Sequence, residues 1–294
     1  MKTTMSAMSQ AAKGERFRAL HEGPDTFVIP NPWDAGTARM LEQLGFQALT
    51  TTSAGLAYTL GRADGAGLIS RAETLANARA VAEATDLPVA ADLENGFGDA
   101  PEAVAETIRL AGLEAGLAGG SIEDATGDPR RPIYDFEHAV ERMAAAVEAA
   151  RALPFPFVLV GRAENYLHGR ADLDDTIRRL HAFEAAGADA LFAPGITRAE
   201  DIRTVCASVG RPVNVLVGLR PPGGVAPLTV AELAELGVRR ISLGSALSRA
   251  ALGAFLRAAR EIREHGTFSF IDDALPYAEA NRMMRIHPSD KASG

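Results

Sequence analysis

The sequence predicts an α/β fold, a single (β/α)8 TIM barrel. Three observations carry this. Short apolar runs alternate with longer helical patterns along the whole chain, eight such units can be counted, and 294 residues suit one barrel.

In order, the strand candidates are "TFVIP" (26–30), "FQALTT" (46–51), "LPVAAD" (87–92), "LAGGSIE" (117–123), "PFVLVGR" (156–162), "ADALFAP" (188–194), "PVNVLV" (212–217) and "RRISLG" (239–244). A helical pattern follows each. "GDAPEAVAETIRL" offers Asp99 as an N-cap with Pro101 in the first turn, and "TRAEDIRTV" offers Thr197 with Glu200 three residues on, the spacing of a capping box. Gly187 in "EAAGAD" and Gly237 in "ELGV" stand where helices end on a left-handed residue. After the eighth helix, "TFSFIDDALPYAEANRMMRIHP" predicts one helix more than the barrel needs. It is either a tail packed on its own barrel or an arm docked on a neighbouring subunit. The chain is therefore expected to be one domain, 1–294, with 266–294 as a C-terminal helical arm and tail. A doubly wound open sheet is the structural alternative, but "PNPWDAG" after the first strand is not a dinucleotide fingerprint.

Composition removes several function classes. A net charge of −8 opposes contact with a phosphate backbone, so nucleic acid is not an expected partner. The single cysteine, Cys206, excludes an intrachain disulfide and any CxxC metal site, and reads as a buried spectator thiol. No apolar stretch approaches the ~20 residues that cross a bilayer. "MKTTMSAMSQAAKGERFRAL" lacks the apolar centre of a signal peptide, so a cytoplasmic location is expected. The six histidines have no ligand spacing. The few lysines avoid the strand ends, which argues against a Schiff-base aldolase.

Chemistry in a barrel gathers at the carboxyl ends of its strands. In "ADLENGFGD", Asp92 and Glu94 stand two apart, and in a strand they would share a face. Paired carboxylates disfavour each other's ionised forms unless a cation compensates them. Glu123 ends the next strand. The three could converge on Mg2+, a hard cation that takes oxygen ligands and keeps several waters, or could be separate caps and rim charges. Gly119 and Ser121, on the same face as Glu123, would leave room beneath. Arg162 ends the fifth strand, where its planar fork could hold a substrate carboxylate or could form a salt bridge with Glu94 or Glu123. After the second strand, Ser53 and the N–H groups of Ala54 and Gly55 could cradle an anion, with Asp64 returning to the metal through water. Asn214 lies on the seventh strand. Tyr58, Tyr134 or a metal-bound water are candidates for the proton donor.

Taken together, "NPWDAGTARMLEQLGFQALTTTSAG", "ADLENGFGD", "SIED", "GRAEN" and "PVNV" resemble the isocitrate lyase/phosphoenolpyruvate mutase superfamily, in the right order over nearly the whole chain. The resemblance implies a barrel that exchanges its last helix within a homo-oligomer, a dimer or usually a tetramer. It implies Mg2+ held around Asp64, Asp92, Glu94 and Glu123, and a substrate carboxylate against Ser53, Ala54, Gly55 and Arg162, with Asp92 and Asn214 also at the substrate. Arg162, Glu123 and Tyr58 are the expected catalytic residues. Substrates would be small 2-oxo carboxylates or their enolates, cleaved at a C–C or P–C bond.

The chain departs from the lyase pattern. Where the lyases carry a cysteine-containing loop after the fourth strand, it reads "DATGDPRRPIYD"; Thr51 replaces a tyrosine, Gly195 a glutamate, and "NVLVG" lacks a hydroxyl and an acid. Isocitrate-type cleavage is therefore not expected, whereas oxaloacetate- or phosphonopyruvate-type cleavage is. The alternatives are a 2-oxo acid binding protein that has lost catalysis and a mutase resembling carboxyvinyl-carboxyphosphonate phosphorylmutase. Arg130 and Arg131 could close over an anion or be solvated charges.

Overall fold

A computed structural model describes residues 8–219 and 226–285. Eight strands, β1 (Phe27–Ile29), β2 (Leu49–Thr50), β3 (Val89–Asp92), β4 (Gly119–Glu123), β5 (Val158–Arg162), β6 (Ala190–Phe192), β7 (Val213–Leu216) and β8 (Arg240–Ser242), pair in parallel in the order β1-β8-β7-β6-β5-β4-β3-β2. Each lies inside its expected run, trimmed at the ends, and the (β/α)8 barrel is as the sequence predicts. The ladder stops between β1 and β2. There Thr50 N–H donates to Pro30 O at 3.1 Å, and Asn31 does the rest. Its Nδ2 donates to Thr51 O while its Oδ1 accepts from the N–H groups of Leu243 and Gly244, each at 2.9 Å, so one carboxamide ties the ends of three staves.

The helices are α1 (Gln10–Glu22), α2 (Ala35–Gln43), α3 (Ser53–Thr59), α4 (Arg71–Glu83), α5 (Pro101–Leu113), α6 (Phe136–Arg151), α7 (Leu173–Ala186), α8 (Ala199–Ser208), α9 (Val230–Glu235), α10 (Ala246–His265) and α11 (Tyr277–Met283). Gly187 closes α7 at φ 108° and Gly237 follows α9 at φ 93°, as expected for residues without a Cβ penalty. Two expected caps are corrected. Ala100, not Asp99, precedes α5, because the Asp99 carboxylate is taken by the Tyr134 hydroxyl. Arg198, not Thr197, precedes α8, and Glu200 pairs with Arg198 instead of reaching back to a cap.

The main core lies between strands and helices. A second cluster of Phe17, Phe27, Ile29, Ala48, Ala90, Ala118 and Val158 fills the lower end of the barrel. Phe17, from α1, occupies the space that Gly119 leaves: a Cβ there would stand 2.7 Å from Phe17 Cε1 and 2.6 Å from Val158 O. The room expected beneath the site is thus an aromatic seat rather than a void.

The last barrel helix has a different character. α10 buries only Ser248 and leaves Leu252, Phe255, Leu256 and Ile262 exposed. α11 returns to α2, where Gln43 Nε2 donates to Met283 O at 2.7 Å. Of the expected arm, 286–294 lie outside the described residues. Among those described, no helix is long and apolar enough to cross a membrane.

Candidate active site

The carboxyl ends of the strands surround a cavity of about 190 Å³ lined by Ser53, Ala54, Asp64, Asp92, Arg162 and Asn214 among the expected residues. Asp92 ends β3, and its carboxylate accepts from the Ser53 N–H at 3.3 Å and the Glu94 N–H at 3.2 Å. Its own N–H donates to Thr51 Oγ1, so the threonine standing where the lyases have tyrosine positions the acid.

Glu94 reaches this group by a route the strand argument missed. β3 ends at Asp92, and Glu94 sits beyond it at φ 49°, a left-handed conformation that is uncommon for a residue with a side chain. Shared strand parity is therefore not why it neighbours Asp92. Burial first, and then the charges of Asp92 and Asp64, push its carboxyl up to about 7. Asp64 is raised by burial and by Asp92, against hydrogen bonds from Gly65 and Ser53. Glu123 is raised well above the usual carboxylate range by burial, opposed by Arg162.

Arg162 is the compensating cation. Its Nη1 lies 2.9 Å from Glu123 Oε2 and 3.3 Å from Asp92 Oδ1, and its Nε bonds Glu164 Oε1. The guanidinium also stands 5.4 Å from the centre of the Phe192 ring. Burial alone would lower its pKa, but Glu123, Glu164 and Asp92 together raise it. Of the two roles considered for Arg162, the salt bridge is present, with Glu123 and Asp92 rather than Glu94.

Five carboxylates, Asp64, Asp92, Glu94, Glu123 and Glu164, thus face one guanidinium, with three of them in direct contact with it. Such an excess suits a small divalent ion with oxygen ligands. Among the described residues, no three His, Cys, Asp or Glu side chains form a ready-made ligand group.

The anion cradle is smaller than expected. Thr52 caps α3, and its Oγ1 accepts the Gly55 N–H at 3.3 Å, so that donor is spent within the helix and Gly55 packs against Thr52 and Trp33. Ser53 and Ala54 alone of the three line the cavity. The tyrosines are also elsewhere. Tyr58 is 37% exposed and does not line the cavity. Tyr134 is buried beneath Arg142, with its hydroxyl donating to Asp99, and burial followed by that acid pushes it up to about 12. Arg130 pairs with Asp128 at 2.8 Å in solvent, and burial pushes the Cys206 thiol up to about 11, as suits a spectator.

Sequence reasoning missed an inner support. The buried Asp124 accepts from Glu164 N–H at 2.8 Å and from Arg179 Nη1 at 2.9 Å, and Arg179 also holds Asp175 at 3.0 Å. The "SIED" and "GRAEN" pieces therefore clasp each other through the Asp124 carboxylate and the Glu164 N–H. Ser121, expected to face the site beneath Glu123, lines the cavity, but sequence reasoning missed Ser242 and Arg240 in its wall. The inward parity of β8 could have revealed the last two.

The profile of the phosphoenolpyruvate phosphomutase family matches residues 17–263. A solved structure from Burkholderia cenocepacia J2315, provisionally named a lyase/mutase, is 59% identical and superposes with a TM-score of 0.90, covering 94% of this chain and 97% of that one. An oxaloacetate decarboxylase of Bradyrhizobium diazoefficiens is 34% identical over 216 residues, 70% of this chain and 71% of that protein. A phosphonopyruvate hydrolase solved with oxalate and Mg2+ is 26% identical with a TM-score of 0.80, over 92% and 94% of the two chains.

Proposed function

The chain belongs to the phosphoenolpyruvate phosphomutase family of enzymes, and from that premise we propose that it binds a small 2-oxo carboxylate, or its enolate, with Mg2+ and cleaves a C–C or P–C bond. The observation that carries the reading is the surplus of carboxylates around Arg162, which lines the cavity together with Asp64 and Asp92. Asp92, with Asp64, Glu94 and Glu123 about it, would hold the ion. When bound, Mg2+ supplies Lewis-acid stabilisation of negative charge developing on an enolate oxygen.

The chain's own groups do the remainder. Ala54 at the start of α3 offers its N–H to the substrate carboxylate, Ser53 donates its own N–H to Asp92 beside it, and Asn214 lines the same cavity from β7. Arg162 holds Glu123 and Asp92 in place and offers positive charge to the same anion. Phe192, Leu167 and Leu216 give the cavity an apolar side that excludes water from the reacting carbon.

Among the described residues that line the cavity there is no tyrosine, cysteine, histidine or lysine. Tyr58 is therefore not retained as the proton donor. A decarboxylation or a hydrolysis, in which water delivers the proton, needs fewer protein groups than a retro-aldol cleavage, and oxaloacetate and phosphonopyruvate are the substrates we favour. The same observation favours, as the second reading, a protein that binds 2-oxo acids without turnover. A Mg2+-dependent screen of oxaloacetate and phosphonopyruvate, with and without a chelator, separates them. Product formation that stops on chelation and returns with Mg2+ supports the enzyme, and saturable binding without product supports the binder. We further propose that the exposed apolar face of α10 packs on a second copy of the chain, making a dimer or tetramer.

A further inference from the structure

Among the described residues, four arginines are wholly or largely withdrawn from solvent. Arg162 and Arg179 are surrounded by carboxylates, and Arg142 bonds the carbonyls of Asn95, Gly98 and Asp99. Arg240 has none of this. It is 4% exposed, no described carboxylate lies within ion-pair distance, and its Nε has no hydrogen-bond partner. Its registered neighbours are Phe27 on β1 and Asn214 on β7. His21, below it, is held neutral, lowered to about 3 by burial and then by Arg240 itself. Burial alone lowers the Arg240 guanidinium to about 10, with no acid to oppose it. An unpaired buried charge is costly, and a fold keeps one only where something compensates it.

What compensates it must come through the cavity that Arg240 lines together with Asp92, Arg162, Asn214 and Ser242. Asn214 is 2% exposed, with Nδ2 on Ser242 Oγ at 2.9 Å and Oδ1 unpartnered. Because the serine oxygen accepts that bond, its own proton is free to donate. Turning the carboxamide end for end would let Ser242 donate to Oδ1 and present Nδ2 to the cavity. Each arrangement leaves a guanidinium and a neutral donor in the wall opposite the acidic cluster.

We propose that Arg240, with Ser242 and Asn214, forms a second anion subsite that receives the charged group at the far end of the substrate, so that the protein selects dianionic 2-oxo acids over monoanionic ones. The inference rests on the 2-oxo acid reading above and extends it to the distal group, a carboxylate or a phosphonate. The acidic cluster and its ion would hold one end of the molecule, and Arg240 the other.

The test is titration calorimetry with Mg2+ of wild type, Arg240→Met and Arg240→Lys against oxalate, pyruvate, 3,3-difluorooxaloacetate and phosphonopyruvate. Oxalate and pyruvate occupy the metal end alone, and the other two carry the distal charge. Wild type should bind the dianionic keto acids more tightly than pyruvate. Arg240→Met should weaken them about 30-fold, the range for a lost charge-assisted hydrogen bond, while changing oxalate by less than about threefold. Arg240→Lys should fall between, and whichever dianion loses more identifies the distal group. Ligand-free Arg240→Met should melt no lower than wild type, since an unpaired charge has been removed. Equal weakening of oxalate and the two keto acids that carry the distal charge, no change in either, or a collapse of the ligand-free melting point would overturn the subsite and leave the metal end standing. Failure of wild type to bind any of the four would overturn the 2-oxo acid reading, and the subsite with it.

Discussion

Replacing Arg162 by Met keeps most of the side-chain volume and removes the charge that Glu123, Asp92 and Glu164 share. The carboxylates it touches are largely buried, with side-chain exposures of 15%, 17% and 3%. Removing one partner of a buried ion pair leaves the other uncompensated and costs about 3–5 kcal/mol, far more than a surface pair would. The loss should also depend on pH in a definite sense. Burial already raises Glu123 and Glu164, and without the guanidinium both rise further. A carboxyl with a raised folded-state pKa binds its proton more tightly folded than unfolded. The stability linked to it is present below the ordinary carboxylate pKa and is lost as pH climbs through the folded value. The variant should therefore be weakest near pH 8 and recover toward pH 5, by about 1.4 kcal/mol for every tenfold by which folding strengthens proton binding. Urea unfolding of ligand-free wild type and variant at several pH values, compared at constant m, measures this. A variant as stable as wild type at pH 8, or a deficit that does not shrink on acidification, would refute the claim that Arg162 is the cation balancing the cluster.

Further expectations concern the barrel floor and the outer surface. His21 is depressed to about 3; the unfolded chain binds its proton below about 6.5, so stability falls as pH drops. Wild type should lose about 2 kcal/mol between pH 8 and pH 5 through this residue alone, a slope that His21→Gln removes from urea titrations. Gly119→Ala drives a Cβ to 2.6 Å from the Val158 carbonyl and 2.7 Å from Phe17, and should cost about 1–3 kcal/mol in the same assay. Phe255 is 67% exposed on α10, so Phe255→Glu should lower the mass seen by light scattering while leaving the far-ultraviolet circular dichroism unchanged. An unaltered mass would count against α10 as the contact.

The strands were legible because each is an apolar run bounded by turn residues, and the candidate site was legible where a polar residue directly ends such a run, as Asp92, Glu123 and Arg162 do. Legibility failed where side chains compete for the same backbone or carboxylate. Asp99 has the sequence context of a cap but serves Tyr134, and Gly55 has that of an anion donor but its N–H belongs to Thr52. Glu94 arrived at the right place for the wrong reason, through a left-handed residue and not an extended strand. That Arg240 has no partner was not legible, because an arginine inside a strand invites the assumption of one, and only coordinates reveal that the described residues provide none.

The aromatic plug at the barrel floor also bears on how the protein is made. Phe17 leaves the ribosome ahead of every barrel strand, yet the seat that Gly119 and Val158 build for it is translated long afterwards. Until the fifth stave arrives, the nascent chain carries an oily anchor with nowhere to moor. Vectorial synthesis therefore cannot complete the floor from the strands before β5, and closure of the bottom must wait for that strand.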